Sequence, residues 1–289
     1  MDLKPQWKVG QRVVQQTKTA QTQKIALSST AAPMQQKTEQ VQDYVLVVER
    51  ERPGGGYEIT MTILGLRMET KMGEQSILKY DSKTDAGATG ATGANPLADV
   101  FKKMVGAKFK LLTRPDGEVE KVEGVQQLLE SIATGMPEMV AGMIKSMFNE
   151  DMAKQMSGFP PDLPKEPVSA GHEWPVKTEM SLGPMGTIVI SMKYKYTGME
   201  RRRDYPCAVL DHKGFISGKE GAGGGQLSFT SISGTTTGRT YYVPSIGTAV
   251  ESFSDQKMKM AMKVMGQDAN IEMDQRVTTR MTEITGQAQ

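Results

Sequence analysis

The sequence predicts a β-rich α+β protein in which two antiparallel β halves flank a helical and hairpin insertion. Long segments alternate between apolar and polar residues, which is the period of a half-buried strand. A stretch of different composition interrupts them, and the landmarks of the first half recur in the second. We therefore predict an N-terminal β half over 1–84, an insertion over 85–167 and a C-terminal β half over 168–289, joined in one continuous unit.

The N-terminal half carries three strand signals. Residues 11–27 are polar but rich in Thr, Gln and Val, and residues 44–48 read Tyr-Val-Leu-Val-Val. The Pro/Gly segment 52–56 predicts a turn before a third strand. In that strand Tyr57, Ile59, Met61 and Ile63 alternate with polar residues, which predicts one buried and one wet face.

The insertion opens with a small-residue segment, 85–96, that predicts a flexible loop. Asn95 and Pro96 are suited to begin a helix over 97–105. Residues 109–122 predict a hairpin around an Arg-Pro-Asp-Gly turn, and 125–133 predict a helix.

A second helical run in the insertion is built mostly of methionine. Helical spacing places six apolar side chains on one face: Met139, Val140, Met143, Ile144, Met147 and Phe148. The simpler interpretation is a core helix lying on the sheet. The alternative is a movable cover whose methionines adapt to variable apolar ligands.

The C-terminal half ends in the most informative strand of the chain, residues 257–264. Met258, Met260 and Met262 share one face, and Lys257, Lys259 and Lys263 share the other. Methionine is unbranched and polarizable, and the chain has 22 Met against 7 Phe and 2 Trp. We expect either a loosely packed core or a surface that holds an apolar ligand.

The two β halves share landmarks in the same order, which makes duplication a hypothesis. Each half opens on a Trp and Gly segment, then has a Tyr-led strand, a charged turn and another Tyr-led strand. The matching landmarks are Trp7–Val13 and Val168–Trp174, Tyr44 and Tyr194, Glu49–Pro53 and Glu200–Asp204, and Tyr57 and Tyr205.

The amino-acid composition limits the classes of partner that we expect for this protein. Lys and Arg total 35 and Asp and Glu 33, and the basic residues are scattered, so we expect no nucleic-acid surface. The cluster Arg201–Arg203 is predicted to be a solvated turn. Cys207 is the only cysteine, so no internal disulfide forms, and its apolar strand predicts a small buried hydrophobe. No apolar run reaches the roughly 18 residues of a membrane span.

No motif for catalysis or for a cofactor is found in the sequence. His172 and His212 are predicted to lie in turns or on the surface rather than to act as bases. Met258, Met260 and Met262 offer thioether ligands that suit Cu(I), but same-face positions are about 6.6 Å apart, so three sulfurs would have to bend inward. We expect no metal and no cofactor, with copper as the least favoured alternative.

Several punctuating segments resemble a family of bacterial proteins, the domain-of-unknown-function family 6263, known from Planctomycetes. The segments are Trp7–Gly10, Tyr80–Ser82, Asn95–Leu97, Arg114–Gly117, Val122–Gly124 and Gly171–Trp174. The resemblance runs from Trp7 to about Ile284 and rests on turns and strands rather than on chemistry. It implies a half-barrel similar to the lipoprotein-carrier fold, with helices on the concave side, and it supplies no catalytic residue.

The resemblance also implies an extracytoplasmic protein, secreted or periplasmic. Met1–Pro5 has no apolar leader and no cleavage site, so the expectation is that a signal or lipid anchor has been removed; a cytoplasmic protein is the alternative.

The leading hypothesis is a non-enzymatic protein that binds a lipid or other hydrophobic ligand between sheet and helices. Met258, Met260 and Met262 are expected to line the sheet side, and Met139, Met143, Ile144 and Met147 the cover. The rival hypothesis is a structural or interaction module whose methionines fill its core.

Overall fold

The computed structural model describes residues 1–28, 32–84, 86–90, 93–94, 96–134, 163–181, 186–220, 227–264 and 267–286. These residues form fourteen strands and two helices. In chain order they are β1 Arg12–Leu27, β2 Met34–Glu51, β3 Tyr57–Met72, β4 Gln75–Asp81, β5 Ala86–Gly90, β6 Gly93–Ala94, α1 Pro96–Met104, β7 Lys108–Thr113, β8 Val119–Glu123, α2 Val125–Ala133, β9 Glu173–Ser181, β10 Gly186–Arg202, β11 Tyr205–Glu220, β12 Leu227–Val243, β13 Thr248–Val264 and β14 Gln267–Thr285.

The strands form one curved, open antiparallel sheet. Their order across it is β6-β5-β4-β3-β2-β1-β14-β13-β12-β11-β10-β9, and the β7–β8 hairpin attaches beside β3. Two meanders therefore meet where β1 pairs with β14, with Arg12 opposite Thr285 and Leu27 opposite Ala269. The predicted β-rich fold of two antiparallel halves is confirmed.

The strands are longer than local sequence signals indicate. Strand β2 spans 18 residues and β12 spans 17, although only short parts of each are apolar. Residues 86–90 and 93–94, predicted as loop, pair as the short strands β5 and β6. Pairing with a neighbouring strand satisfies the backbone whatever the local propensity, so Thr-, Gln- and Gly-rich segments extend the ladder.

Cross-strand partners share a face, so the register defines two sides of the sheet. We call the inner face the side on which α1 and α2 pack. There the buried side chains of α2 (Val125, Leu128, Leu129 and Ile132) contact a cluster with Leu46, Ile59, Met61, Phe109 and Leu111. In the described part of the insertion the helices thus pack on the apolar face, as predicted, whereas the β7–β8 hairpin does not: it extends the sheet beside β3.

The first ten residues form an N-terminal strap across the lower end of the sheet, the end with the β12–β13 turn. Leu3 is fully buried in a cluster with Trp174, Tyr194 and Tyr242. Further along, Trp7 packs edge-on against Tyr57, with ring centroids 5.6 Å apart. The strap is hydrogen-bonded at both ends, from the Met1 amine to the Val168 carbonyl (2.8 Å) and from the Gln6 amide to the Pro244 carbonyl (2.8 Å). It joins the hydrophobic cores of the two halves.

Candidate functional site

The methionine strand is part of β13, the second strand of the C-terminal half counted from the β1–β14 seam. Met258 pairs with Met273 and Gly234, and Met260 pairs with Ile271 and Ile232, all on the inner face. Met262 is buried, and Met258 and Met260 are half-buried. Lys257, Lys259 and Lys263 are exposed on the outer face. The sequence pattern therefore translates directly into two chemically different surfaces.

Around these methionines, β9–β12 contribute apolar side chains to the upper inner face, which is the part of the inner face farther from the β12–β13 turn. A cluster centred on Ile188, Ile216 and Ile232 packs with Met180, Ile190, Phe229, Met258 and Met260. We call this cluster the methionine–isoleucine patch. The other four predicted lining residues, Met139, Met143, Ile144 and Met147, lie outside the described residues.

One row of the inner face, which begins below the patch on β12 and β13 and continues to β3, is polar but uncharged across six strands. Successive cross-strand partners define this glutamine–threonine row: Thr236, Gln256, Gln275, Gln21, Thr38 and Thr70. The Thr38 and Thr70 hydroxyls lie 3.2 Å apart, and Thr236 contacts Ser254 at 3.3 Å. Gln21, Gln256 and Gln275 are half-buried, and their amides make no side-chain hydrogen bond to any described residue. The N–H donors and carbonyl acceptors of these amides are therefore available to a ligand.

Charge is sorted between the two faces of the whole sheet. Among the described residues of β1–β4 and β9–β14, away from the hairpin tips, no Asp, Glu, Lys or Arg occupies an inner-face position. The outer face instead carries cross-strand ion pairs, such as Arg276–Asp255 (2.6 Å), Arg239–Asp211 (2.6 Å) and Lys259–Glu272 (3.1 Å). Burying an unpaired charged side chain costs free energy, so a face without charged side chains is suited to contact an apolar ligand.

Aromatic rings follow the next row down in the C-terminal half. Trp174 stacks on Tyr194 at 5.6 Å between centroids, and Tyr194 lies 5.2 Å from His212. Within the described chain, the Trp174 indole nitrogen, His212 Nδ1 and the Tyr242 hydroxyl are buried without a hydrogen-bond partner. Burial lowers the pKa of His212, against the opposing effect of the Asp211 carboxylate.

The predicted turn at His212 is wrong. The residue lies within β11, opposite Tyr194 and Gly238, and its Nε2 is 3.5 Å from Ser254 Oγ. The polar sequence Asp211-His212-Lys213-Gly214 suggested a turn, but these residues alternate between the faces of a strand. His172 is exposed and stacks against Trp174 at 6.1 Å.

Two further predictions concern Cys207 and the arginine cluster Arg201–Arg203. Cys207 is completely buried, as predicted, and burial raises the pKa of its thiol. The predicted solvated turn at Arg201–Arg203 is confirmed: all three residues are exposed, and the β10–β11 turn lies at Arg203 and Asp204. Arg202 binds Glu251 (2.6 Å between Nε and Oε2), and Arg203 donates to the Met281 carbonyl (2.6 Å).

The lower end of the inner side is a filled core rather than a binding space. The cavity between Trp7, Leu46, Ile59 and Ile246 has a volume of only about 10 Å³, which is roughly one water molecule. Buried polar groups there are paired: Gln15 donates to Thr248 Oγ1 (2.9 Å) and accepts from the Tyr44 hydroxyl (2.7 Å). Burial raises the pKa of Tyr44 to about 12. The rival hypothesis of a filled core describes this end well.

Elsewhere the described surface offers little that is enclosed. A depression of about 440 Å³ at β12–β14 is open to solvent and is lined by Ser233, Gly234, Thr235, Lys257, Met258, Lys259, Glu272, Met273 and Asp274. In the described part of the chain, no three His, Cys, Asp or Glu side chains lie together as metal ligands. No helix of that part is long and apolar enough to cross a membrane.

Fold and site together define a class: an open antiparallel half-barrel with a filled lower end, whose described inner face has no charged side chain away from the hairpin tips. A family model matches residues 54–277, more than half of the chain, and it describes a family of unknown function, DUF6263. The chain therefore belongs to the DUF6263 family, as its punctuating segments indicated. No curated protein matches it.

Among solved structures, the chain is similar to a lipovitellin reported for its lipid–protein interactions. The TM-score is 0.52 at 8% identity, and the match covers 98% of this chain and 26% of that one. This chain thus spans about a quarter of the lipovitellin chain, and the likeness concerns the fold. A Bacteroides fragilis protein with a YmcC-like fold, described as exported, matches at a TM-score of 0.32 and 10% identity, covering 99% and 100% of the two chains. That similarity is too low to bear on the fold.

Proposed function

We propose that this protein is a non-enzymatic binder of a lipid or another hydrophobic ligand, which lies on the upper inner face of the half-barrel. The observation that carries the proposal is the sorting of charge: ion pairs cover the outer face, and the inner face of the described strands β1–β4 and β9–β14 has no charged side chain away from the hairpin tips. If the inner face served only as a hydrophobic core, the absence of charge would not have to extend beyond the buried clusters of the lower end.

The methionine–isoleucine patch is the proposed contact for the apolar part of the ligand. Each aliphatic or methionine side chain that a ligand desolvates fully contributes about 1.5–3 kcal/mol. Methionine adapts to ligands of different shape because it has three rotatable bonds. Met258 and Met260 are only half-buried in the protein without a ligand, so each has apolar surface that a ligand can still cover.

The fold likeness supports the same function without establishing it. The lipovitellin domain that shares this architecture belongs to a protein known for lipid–protein interactions. We further propose that the protein works outside the cytoplasm, as the family resemblance implies.

A pair of adjacent substitutions on β13 tests the proposal. Met260→Glu places a carboxylate on the inner face, whereas Ala261→Glu places the same group on the outer face, one residue away. We expect the unaltered protein and Ala261→Glu to carry bound lipid in native mass spectrometry and after organic extraction, and Met260→Glu to lose it.

Far-ultraviolet circular dichroism checks that both variants are folded. Equal lipid content in the two variants, or an apo mass for the unaltered protein that does not shift when dioleoylglycerol is added, would leave the structural module as the better account.

A further inference from the structure

We infer that the ligand of the inner face is an amphiphile with an uncharged, hydrogen-bonding headgroup, such as a diacylglycerol, and that the glutamine–threonine row selects it. This inference rests on the proposed function and specifies its ligand class.

The first step is the position of the row. Same-face positions along a strand are about 6.6 Å apart, so the row lies one side-chain layer below Met258 and Met273. A ligand whose chains cover Met258, Met273 and the rest of the methionine–isoleucine patch therefore brings its polar end to Gln256 and Gln275, and Gln21 is the next residue along the row. Along β13 the inner face is itself amphipathic, with Met258 and Met260 above and Gln256 and Ser254 below, whereas along β1 and β2 it is polar on both sides of the row.

The second step is the chemistry that the row offers. Each glutamine amide carries two N–H donors and a carbonyl acceptor, and threonine adds a hydroxyl. These groups match the hydroxyl and ester oxygens of a neutral glycerolipid. The amides of Gln21, Gln256 and Gln275 have no side-chain partner among the described residues, so binding them breaks no internal hydrogen bond.

The third step is the lack of positively charged side chains in the described row. A phosphate carries a net negative charge, and Lys or Arg side chains offset its desolvation far better than neutral amides do. The described inner face has no Lys or Arg away from its hairpin tips, and its one histidine is driven toward the neutral form by burial. The lysines of β13 project to the outer face. An anionic headgroup on this row would lie without a counter-charge.

Two soluble lipids with the same acyl chains test the inference: dioctanoylglycerol and dioctanoylphosphatidylglycerol. Binding is measured by isothermal titration calorimetry on the full chain, below the aggregation threshold of each lipid, because vesicles could bind to the charged outer face. We expect the neutral lipid to bind at least tenfold more tightly.

A charge placed in the row should reverse this selectivity. Gln256→Lys puts an ammonium group at the centre of the row, and we expect it to shift the affinity ratio toward the anionic lipid by tenfold or more. Thr237→Lys, which is adjacent to the row but on the outer face, is the matched control and should leave the ratio unchanged. Gln275→Lys serves the same purpose should Gln256→Lys fail to fold.

The outcomes separate the two proposals. Equal or tighter binding of the anionic lipid by the unaltered protein, or an unchanged ratio in the folded lysine variants, overturns the inference while lipid binding stands. Binding of neither lipid overturns the proposed function and, with it, the inference.

Discussion

Glu251 is the most enclosed carboxylate among the described ion pairs of the outer face. Its side chain is 8% exposed and lies between Arg202 and Arg280, with contacts of 2.5 Å and 2.9 Å. Burial by itself raises the pKa of Glu251, but the two guanidinium groups outweigh it and hold the pKa below its ordinary value of 4.5. The residue ties the β10–β11 hairpin to β13 and β14.

The lowered pKa gives a pH prediction with a definite sign. Because the folded-state pKa is depressed, the stability that Glu251 contributes is complete above about pH 4.5 and is lost as the pH falls through the folded-state pKa. We expect Glu251→Gln to lower the free energy of unfolding by about 1–3 kcal/mol at pH 7 and to weaken its fall between pH 5 and pH 2. Urea unfolding across that pH range measures both effects.

An exposed carboxylate near the same hairpin provides the control. Asp204 is 96% exposed and reaches Arg201 only at 4.0 Å. Asp204→Asn should change the free energy of unfolding by less than about 0.5 kcal/mol. Equal effects of Asp204→Asn and Glu251→Gln would contradict the role assigned to burial.

At the scale of elements, strands β11 and β12 pack small against large on the inner face. Ile216 pairs with Gly234, and His212 pairs with Gly238. A Cβ atom on Gly218 would lie 2.8 Å from Ile232 Cβ, and one on Gly238 would lie 2.5 Å from the His212 ring. Large side chains therefore lean over bare backbone, which allows the two strands to curve closely beneath the methionine–isoleucine patch.

This packing predicts a coupled pair of substitutions. Gly218→Ala should destabilise the protein by about 1–3 kcal/mol through overpacking against Ile232. In the background of Ile232→Ala, which removes two of the crowding atoms, the same change should cost less, and a double-mutant cycle in urea measures the difference.

Ser217→Ala, an exposed position on the outer face of the same strand, is the control and should be near neutral. Additive effects of Gly218→Ala and Ile232→Ala would show that the close approach has no energetic weight.

At the scale of the whole molecule, the two halves are coupled in two places. Strands β1 and β14 pair along their full length, and the N-terminal strap places Leu3 in the C-terminal core and Trp7 in the N-terminal one. The matching landmarks Tyr44 and Tyr194 are both buried on inner faces of the second strand of each meander. Duplication and the boundaries at 84/85 and 167/168 stay predictions.

The two tryptophans report on the two halves separately. Trp7 lies in the N-terminal core and Trp174 in the C-terminal core. We expect Trp174→Phe and Trp7→Phe variants each to show a fluorescence transition in urea that coincides with the circular dichroism transition of the same variant, because the halves unfold as one unit. A fluorescence midpoint separated from the circular dichroism midpoint in either variant would indicate independent halves.

Local sequence carries much of this fold. The alternation at Tyr57–Ile63 and at Met258–Met262 predicted the inner face of these parts of β3 and β13, because side chains alternate between the two faces along a strand without a bulge. The Pro and Gly segments predicted turns, and helix α2 over 125–133 was predicted with its bounds. The family followed from turn and strand punctuation.

The sequence by itself thus determined which residues share a face within an uninterrupted stretch of strand, such as Tyr57–Ile63, but not where a bulge shifts the alternation, as between Ile63 and Leu66. Only the tertiary structure decided which faces join. Gln21 and Gln275 are remote in the chain, yet the β1–β14 register makes them neighbours in one uncharged row. The physical reason is that the faces are set locally by backbone geometry, whereas register between distant strands is set by the pairing of whole meanders. His212 shows the same limit, since a polar tetrapeptide becomes strand only when neighbours on both sides supply its hydrogen bonds.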